Sequence, residues 1–287
     1  MIDEAKTRLN IDELLTQCGF ILQDMSEFNR FAKSAHSSIS GVAVREFEMN
    51  DKSRADYLLF IEGKACGVIE AKREGKTLSN TNAQSKHYAT HLPPNVKAWD
   101  NTLPFLYESN TSEIFFTNLR EPNATTRRIF AFHSPLSLLE ILEQEMTLRQ
   151  HLKAIPLLDD DFKHNLRPCQ IEAIEKLEES LSSNKPRALI QMATGAGKTF
   201  TSCNFIYRLL AYAKAKRVLF LVDRNNLGEQ AKKEFDNFIL PKQNRKFSDV
   251  YITKHLQNNL IESDDKLIIT TIQRLYSLLK GEAEFDV

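Results

Sequence analysis

Two groups of residues in this 287-residue chain have the types and spacing to act on phosphates. The first is Asp56 with Glu70-Ala71-Lys72 downstream, and the second is Ala193-Thr194-Gly195-Ala196-Gly197-Lys198-Thr199. Two carboxylates and an ammonium suit hydrolysis of a phosphodiester. Hard oxygens from Asp56 and Glu70, with the main-chain carbonyl of Ala71 as a further candidate, can hold Mg²⁺. The ion polarises the phosphoryl oxygen and lowers the pKa of a bound water. Lys72 can position that water and offset charge developing on the phosphorane. The second group is a glycine-bearing turn that opens a helix, so main-chain N–H groups approach phosphate oxygens and the helix N-terminus adds positive partial charge. Lys198 would reach the β- and γ-phosphates and Thr199 would ligate Mg²⁺.

The acidic group needs a hairpin to assemble it. Apolar runs at 55–61 and 65–71 flank Glu62-Gly63-Lys64, which is a hairpin signal. A turn centred on Gly63 pairs residue 56 with residue 70, and directly opposed residues project to one face. Lys72 lies two residues beyond Glu70 and shares that face. A bulge at the turn would shift the register by one. An Asp…Glu-x-Lys of fixed spacing arises by chance in roughly one chain in twenty of this size, so a surface hairpin of alternating charge is the alternative. Tyr57, Leu58, Leu59, Val68 and Ile69 are too apolar for it and place the acids beside a core. Gly-x-Gly-Lys-Thr is rarer, on the order of one chain per hundred. Met192 stands where such a loop usually opens with Gly or Ala.

Around these groups the chain reads as α/β. Residues 4–22 have helical period with Gly19 as a stop, 42–47 reads as a strand, and 78–90 as a helix ending before Pro93-Pro94. Strands are expected at 113–117 and 128–132, a helix at 136–153, and an acidic connector at 155–164. Helix 170–181, strand 187–192, helix 199–213, strand 217–222, helix 227–238 and strand 267–271 follow. Apolar strands alternating with helices predict a parallel sheet. The expected division is residues 1–150 as a mixed-sheet nuclease domain, 151–165 as linker, and 166–287 as part of a parallel-sheet nucleotide-binding domain. A sheet begun but not completed would expose an edge or an apolar face.

Bulk properties exclude little. Lys+Arg and Asp+Glu are 38 each, so any DNA-binding surface must come from local clusters. Candidates are Lys72, Arg73 and Lys76; Arg120, Arg127 and Arg128; and Lys214, Lys216 and Arg217, each also readable as a solvated face. No apolar stretch approaches the roughly 20 residues of a bilayer span, and the start Met1-Ile2-Asp3-Glu4 is acidic, which points to the cytoplasm. Cys18, Cys66, Cys169 and Cys203 lack paired spacing and are expected as reduced, buried thiols. His87 and His91 lie at i, i+4 and could chelate a metal, but Pro93 frays that turn, and a surface pair is the expectation.

The order Asp56, Glu70-Ala71-Lys72, Gln84-Ser85-Lys86-His87-Tyr88 resembles the PD-(D/E)xK nucleases of the RecB-like group, with Ala55-Asp56 in place of Pro-Asp. Gln84 and Tyr88 share one helical face. The resemblance implies that they line the cleft, contacting DNA or bracing the metal ligands. Leu166-Arg167-Pro168-Cys169-Gln170 resembles the glutamine motif of superfamily-two helicases, which implies that Gln170 reads adenine and that ATP is the nucleotide. Val222-Asp223-Arg224 with Gln230, and Thr270-Thr271-Ile272-Gln273, resemble later motifs that touch the DNA backbone in a RecA-like motor. A nuclease placed directly before such a motor resembles the restriction subunit of type I restriction–modification enzymes; type III subunits place it after. That resemblance implies a complex with methyltransferase and specificity subunits, ATP-driven translocation, and cleavage of double-stranded DNA at distant positions. No Asp-Glu-x-His box follows residue 199, and Phe285-Asp286-Val287 resemble the approach to it, so these residues alone are not expected to hydrolyse ATP. Two other readings stay open: a stand-alone repair helicase–nuclease, and an inactive DNA-binding or assembly module.

Overall fold

A seven-stranded mixed sheet organises the first of two units, Met1–Thr147 and Leu148–Val287, in the computed structural model. The structure describes residues 2–34, 37–72, 82–185, 187–258 and 260–280. Chain order in the first unit is α1 (Ile2–Gln17), β1 (Ile21–Gln23), β2 (Gly41–Glu48), β3 (Arg54–Ile61), β4 (Lys64–Ala71), α2 (Asn82–Thr90), β5 (Phe105–Ser109), β6 (Ile114–Asn118), β7 (Arg127–Ile129) and α3 (Pro135–Leu142). The strands lie in sequence order, parallel at β1/β2 and β4/β5 and antiparallel elsewhere. Strand periodicity sorts the side chains. Tyr57, Leu59, Ile69, Phe105 and Tyr107 pack with Ile11 and Leu15 of α1 and with Leu138 and Leu142 of α3. Leu58, Phe60, Val68 and Leu106 form a second core with Tyr88 and Ala89 of α2. Both faces of β3 and β4 are thus covered, which is why they read as continuous apolar runs. Each buried Leu or Phe contributes roughly 1.5–3 kcal/mol to these two cores.

The β3–β4 hairpin closes differently from a turn centred on Gly63, yet reaches the expected register. Glu62 and Gly63 both have positive φ (47° and 73°), and Ile61 pairs with Lys64. This is a two-residue type I′ turn whose axis falls between 62 and 63. Glycine is required at 63, where a Cβ would also lie 2.2 Å from the Phe31 ring. The register then shifts between Leu59 and Phe60, leaving Cys66 as the extra residue of a bulge. Beyond it, Leu59 pairs with Gly67, Leu58 with Val68 and Tyr57 with Ile69. One step further, Asp56 stands across from Glu70. Gly67 admits the neighbouring strand: a Cβ there would sit 2.7 Å from the Phe105 carbonyl oxygen.

Other elements depart from the sequence expectation for identifiable reasons. The first helix ends at Gln17, and 21–23 pairs with β2 as a strand. β5 was not expected, although it is wholly buried between β4 and β6. The expected helix 136–153 is two helices. Ser134 caps α3, and the Arg120 guanidinium takes the carbonyls of Ile141, Leu142 and Gln144 that a continuing turn would use. Of the expected helix 78–90, residues 78–81 lie outside the described residues. Cys169 is exposed and Cys18 half-buried, so only Cys66 and Cys203 fit the expected buried thiols.

The second unit comprises α4 (Leu148–Lys153), α5 (Asp160–Lys163), α6 (Pro168–Ser182), α7 (Lys198–Ala211), β8 (Val218–Val222), α8 (Asn225–Asn237), β9 (Ile252–His255), β10 (Asp265–Thr271) and α9 (Ile272–Lys280). Its strands are parallel in the order β8-β10-β9. Within 151–165, Leu158 and Phe162 are buried with Ile174, Tyr207 and Leu210. Residues 187–192 do not form the expected strand. A strand needs a ladder partner, and among the described residues none pairs with this segment, whose Leu189 is 94% exposed. On β8, Val218 and Phe220 pack into the core while Leu219 and Leu221 stay exposed. Among the described residues, one face of β8 is therefore uncovered. Residues 281–287, with the Phe285-Asp286-Val287 ending, lie outside the described residues. No described helix is long and apolar enough to cross a membrane.

Candidate functional site

Asp56, Glu70, Ala71, Lys72, Gln84 and Tyr88 converge at the end of the β3–β4 hairpin. Asp56 Oδ2 accepts the main-chain N–H of Ala71 at 2.8 Å, which ties the first carboxylate to the second strand. Its Oδ1 accepts from Arg8 Nη2 at 2.5 Å, and Arg8 Nη1 also bonds Glu46 at 2.7 Å. Glu70 is 6% exposed, and its Oε1 accepts from Lys72 Nζ at 3.0 Å. Lys72 Nζ also donates to Gln84 Oε1 at 2.9 Å, and Gln84 Nε2 donates to the Tyr88 hydroxyl at 2.8 Å. The side chains of β4 and α2 thus form one continuous polar chain, with Tyr88 buried at its end. Beside Asp56 opens a cleft of about 480 Å³ lined by Arg8, Asp12, Arg45, Arg54 and Tyr57 among others.

Burial pushes the Glu70 carboxyl up to about 7, and the nearby Asp56 charge pushes in the same direction against the pull of Lys72. Glu108 adds a smaller repulsion. This residue stands beside Glu70 in the parallel β4/β5 register, is 1% exposed, and accepts from Ser85 Oγ at 3.3 Å. Sequence reasoning missed Glu108 and Arg8. A lone acid in the run Phe105-Leu106-Tyr107-Glu108-Ser109 was the available signal for the first. Arg8 carried none, because only the packing of α1 brings it to Asp56.

The acidic group fits a divalent cation. Glu70 Oε2 is buried without a hydrogen-bond partner. A carboxylate oxygen so placed costs stability unless something positive satisfies it. The donors at hand, Asp56 and Glu70, are hard oxygens of the kind that hold Mg²⁺.

The phosphate loop leads into α7, whose N-cap is Gly197. Arg167 Nη1 donates to the Gly195 carbonyl at 2.9 Å, and Gln170 Nε2 donates to the carbonyls of Ala196 at 3.0 Å and Gly197 at 3.4 Å. In trans peptides the N–H points opposite to the preceding C=O, so this bracing turns the amides of Gly197 and Lys198 away from α6. Gln170 is 3% exposed and its Oε1 accepts the Arg167 N–H at 2.9 Å, so both ends of its amide serve the loop and its own helix. Thr194 and Lys198 are exposed and Thr199 half-exposed, at the mouth of the loop.

The basic clusters divide. Arg120 caps α3, Arg127 pairs with Glu121, and Arg128 pairs with Glu113, so the second cluster serves the fold. Arg217 holds the carbonyls of Glu262 and Asp265. Arg73 and Lys76 lie outside the described residues. Val222 and Thr271 pair at the carboxyl ends of β8 and β10, so the Asp223-Arg224 and Thr270–Gln273 motifs emerge side by side, where open parallel sheets bind ligands.

Two family models match the chain: "Type I restriction enzyme EcoKI endonuclease subunit second domain" over residues 26–142, and "Type III restriction enzyme, res subunit" over 163–287. The Type I restriction enzyme EcoKI endonuclease subunit of Escherichia coli (strain K12) is 27% identical over 99% of this chain and 27% of its own length. The EcoAI endonuclease subunit of Escherichia coli is 31% identical over 62% of the chain and 22% of its own length. A fragment structure of an HsdR subunit of a type I restriction enzyme from Vibrio vulnificus YJ016 covers 96% of this chain and 47% of that one, at 19% identity and a TM-score of 0.34. The chain spans about a quarter of the length of the curated relatives it matches.

Proposed function

For this relative of type I restriction endonuclease subunits, we propose metal-dependent cleavage of double-stranded DNA at the Asp56–Glu70–Lys72 centre, coupled in the full-length cytoplasmic complex to ATP-driven translocation. The reading rests on one observation: a buried, unpartnered oxygen of Glu70 lies one strand away from a second carboxylate. When bound, Mg²⁺ would polarise the phosphoryl oxygen and lower the pKa of a water. Asp56 and Glu70 are the side chains that would hold it, with the Ala71 carbonyl as a third ligand. The Ala71 N–H fixes the direction of the Asp56 carboxylate. Lys72, tethered by Glu70 and Gln84, presents its ammonium where charge develops on the phosphate. Gln84 and Tyr88 hold that amine in place from α2.

The second activity would use residues 166–287 as part of a RecA-like motor, after a nuclease domain of 1–150 and a linker of 151–165. Thr194, Gly195, Ala196 and Gly197 would wrap the ATP phosphates, Lys198 would reach the terminal phosphate, and Thr199 would bind Mg²⁺. Gln170 would brace this loop from α6, since its buried amide is engaged at both ends. Methyltransferase and specificity subunits are the proposed partners, and they would supply sequence recognition. Incubating supercoiled plasmid with the chain and Mg²⁺ tests the nuclease assignment. Wild type should nick it and Lys72→Ala should not, at unchanged circular dichroism. Equal nicking by both would remove Lys72 from the mechanism.

A further inference from the structure

Ligand atoms also converge away from the acidic centre, where the turn between β2 and β3 meets the end of α2. The His87 and His91 rings stack there with centroids 3.9 Å apart and planes at 26°. Asp51, from the turn, brings its Oδ2 to 2.5 Å from His87 Nε2. One ligand atom from each of these three residues falls within 4.8 Å of the others. The sequence shows only the histidine pair; Asp51 comes from the fold.

Further contacts make this more than a surface cluster. The Asn50 N–H donates to the His91 carbonyl at 2.9 Å, so main chain locks the turn to the helix end before any side chain acts. Ser53 N–H and hydroxyl both donate to Asp51 Oδ1, which leaves Oδ2 facing the histidines. His91 Nδ1 lies 2.7 Å from the His87 carbonyl oxygen. A carbonyl only accepts, so Nδ1 carries a proton, and in the neutral ring Nε2 is the nitrogen with a lone pair for a metal. Metal-ligating histidines are oriented by the same carbonyl contact.

We propose that Asp51, His87 and His91 form a binding site for a divalent transition metal of the zinc class, distinct from the acidic centre. Two imidazole nitrogens and one carboxylate suit such an ion, with water completing a tetrahedron, whereas all-oxygen donors suit Mg²⁺. Asp51 and His87 are exposed, so an ion can enter. Once bound, it would pin the β2–β3 turn to α2, the helix that carries Gln84 and Tyr88. The site stands whether or not the nuclease reading does.

The test is a Co²⁺ titration of the chelator-treated chain in excess Mg²⁺, which would fill the proposed hard-oxygen centre. One equivalent with the intense visible absorption of four-coordinate Co²⁺, displaced by Zn²⁺, is expected. Asp51→Asn should weaken binding by at least about tenfold, the lower end of what losing even an outer-shell partner costs. His87→Ala and His91→Ala should abolish the spectrum, and Glu70→Gln should leave it intact. In unmodified protein, imidazole ¹H–¹⁵N spectra should show Zn²⁺ shifting Nε2 of His91 while Nδ1 stays protonated. No visible spectrum, a spectrum lost in Glu70→Gln but kept in His91→Ala, or imidazole signals unmoved by Zn²⁺ would each overturn the proposal.

Discussion

Replacing Glu70 with Gln should stabilise the metal-free protein while removing its ability to hold the ion. Burial raises the Glu70 carboxyl from 4.5 to about 7. The unfolded chain ionises this group freely, whereas the folded chain must ionise it inside a core beside Asp56. Stability from this group is therefore fully present below about pH 4.5 and is lost as pH rises through 7. A displacement of that size corresponds to a loss of about 3 kcal/mol at pH 8 and about 1 kcal/mol at pH 5. Gln keeps an oxygen for Lys72 Nζ, but its amide N–H groups must find acceptors, so the net gain at pH 8 should be about 1–3 kcal/mol. Trp99 is the single tryptophan of the chain and donates to the Ile61 carbonyl at 3.0 Å, beside the hairpin turn. Its emission reports unfolding of this unit alone. In urea with chelator, the variant's midpoint should exceed wild type at pH 8, with a smaller gap at pH 5. Excess Mg²⁺ should raise the wild-type midpoint and leave the variant where it was. Equal midpoints at pH 8, or an identical gap at both pH values, would show that Glu70 is not a buried acid in want of a cation.

Arg8→Gln removes the guanidinium from Asp56 Oδ1, so the Mg²⁺ concentration for half-maximal cleavage should fall several-fold; a higher requirement would mean that Arg8 orients Asp56 rather than competing with the ion. Its effect on stability should stay within about 1 kcal/mol, because the Arg8 side chain is 37% exposed. Gly67→Ala forces a methyl group toward the Phe105 carbonyl and should cost about 1–3 kcal/mol by the Trp99 assay, with cleavage lost as β4 moves; a wild-type midpoint would contradict this. Lys198→Ala should weaken binding of a fluorescent ATP analogue by tenfold or more, and unchanged affinity would detach the loop from nucleotide binding.

What could be read from the chain was what local chemistry determines. The Gly195–Thr199 group is contiguous, so its spacing can be seen without any knowledge of the fold. The hairpin was legible from its apolar runs and turn, and alternation with period two assigns Glu70 and Lys72 to one face; Asp56 joins them only through the register. The turn axis lay half a residue from Gly63, and the bulge at Cys66 made up the difference; no sequence pattern marks that bulge. Residues 187–192 show the opposite failure. Ala188, Leu189 and Ile190 have strand composition, but a strand also requires a partner to hydrogen-bond, and none is present among the described residues. Arg8, Glu108 and Asp51 reach their positions only through tertiary packing. Arg120, Arg127 and Arg128 could be named from sequence only as a charge cluster, patch or solvated face, because charge is visible there while its partners are not.

Mn²⁺ diffused into crystals of the chain and located by its anomalous scattering tests the central claim directly. One ion should be coordinated by carboxylate oxygens of both Asp56 and Glu70, with Glu70 Oε2 no longer unpartnered. An ion held by neither carboxylate, or by Asp56 alone with Glu70 still turned toward protein, would contradict a metal-dependent nuclease centre at this hairpin.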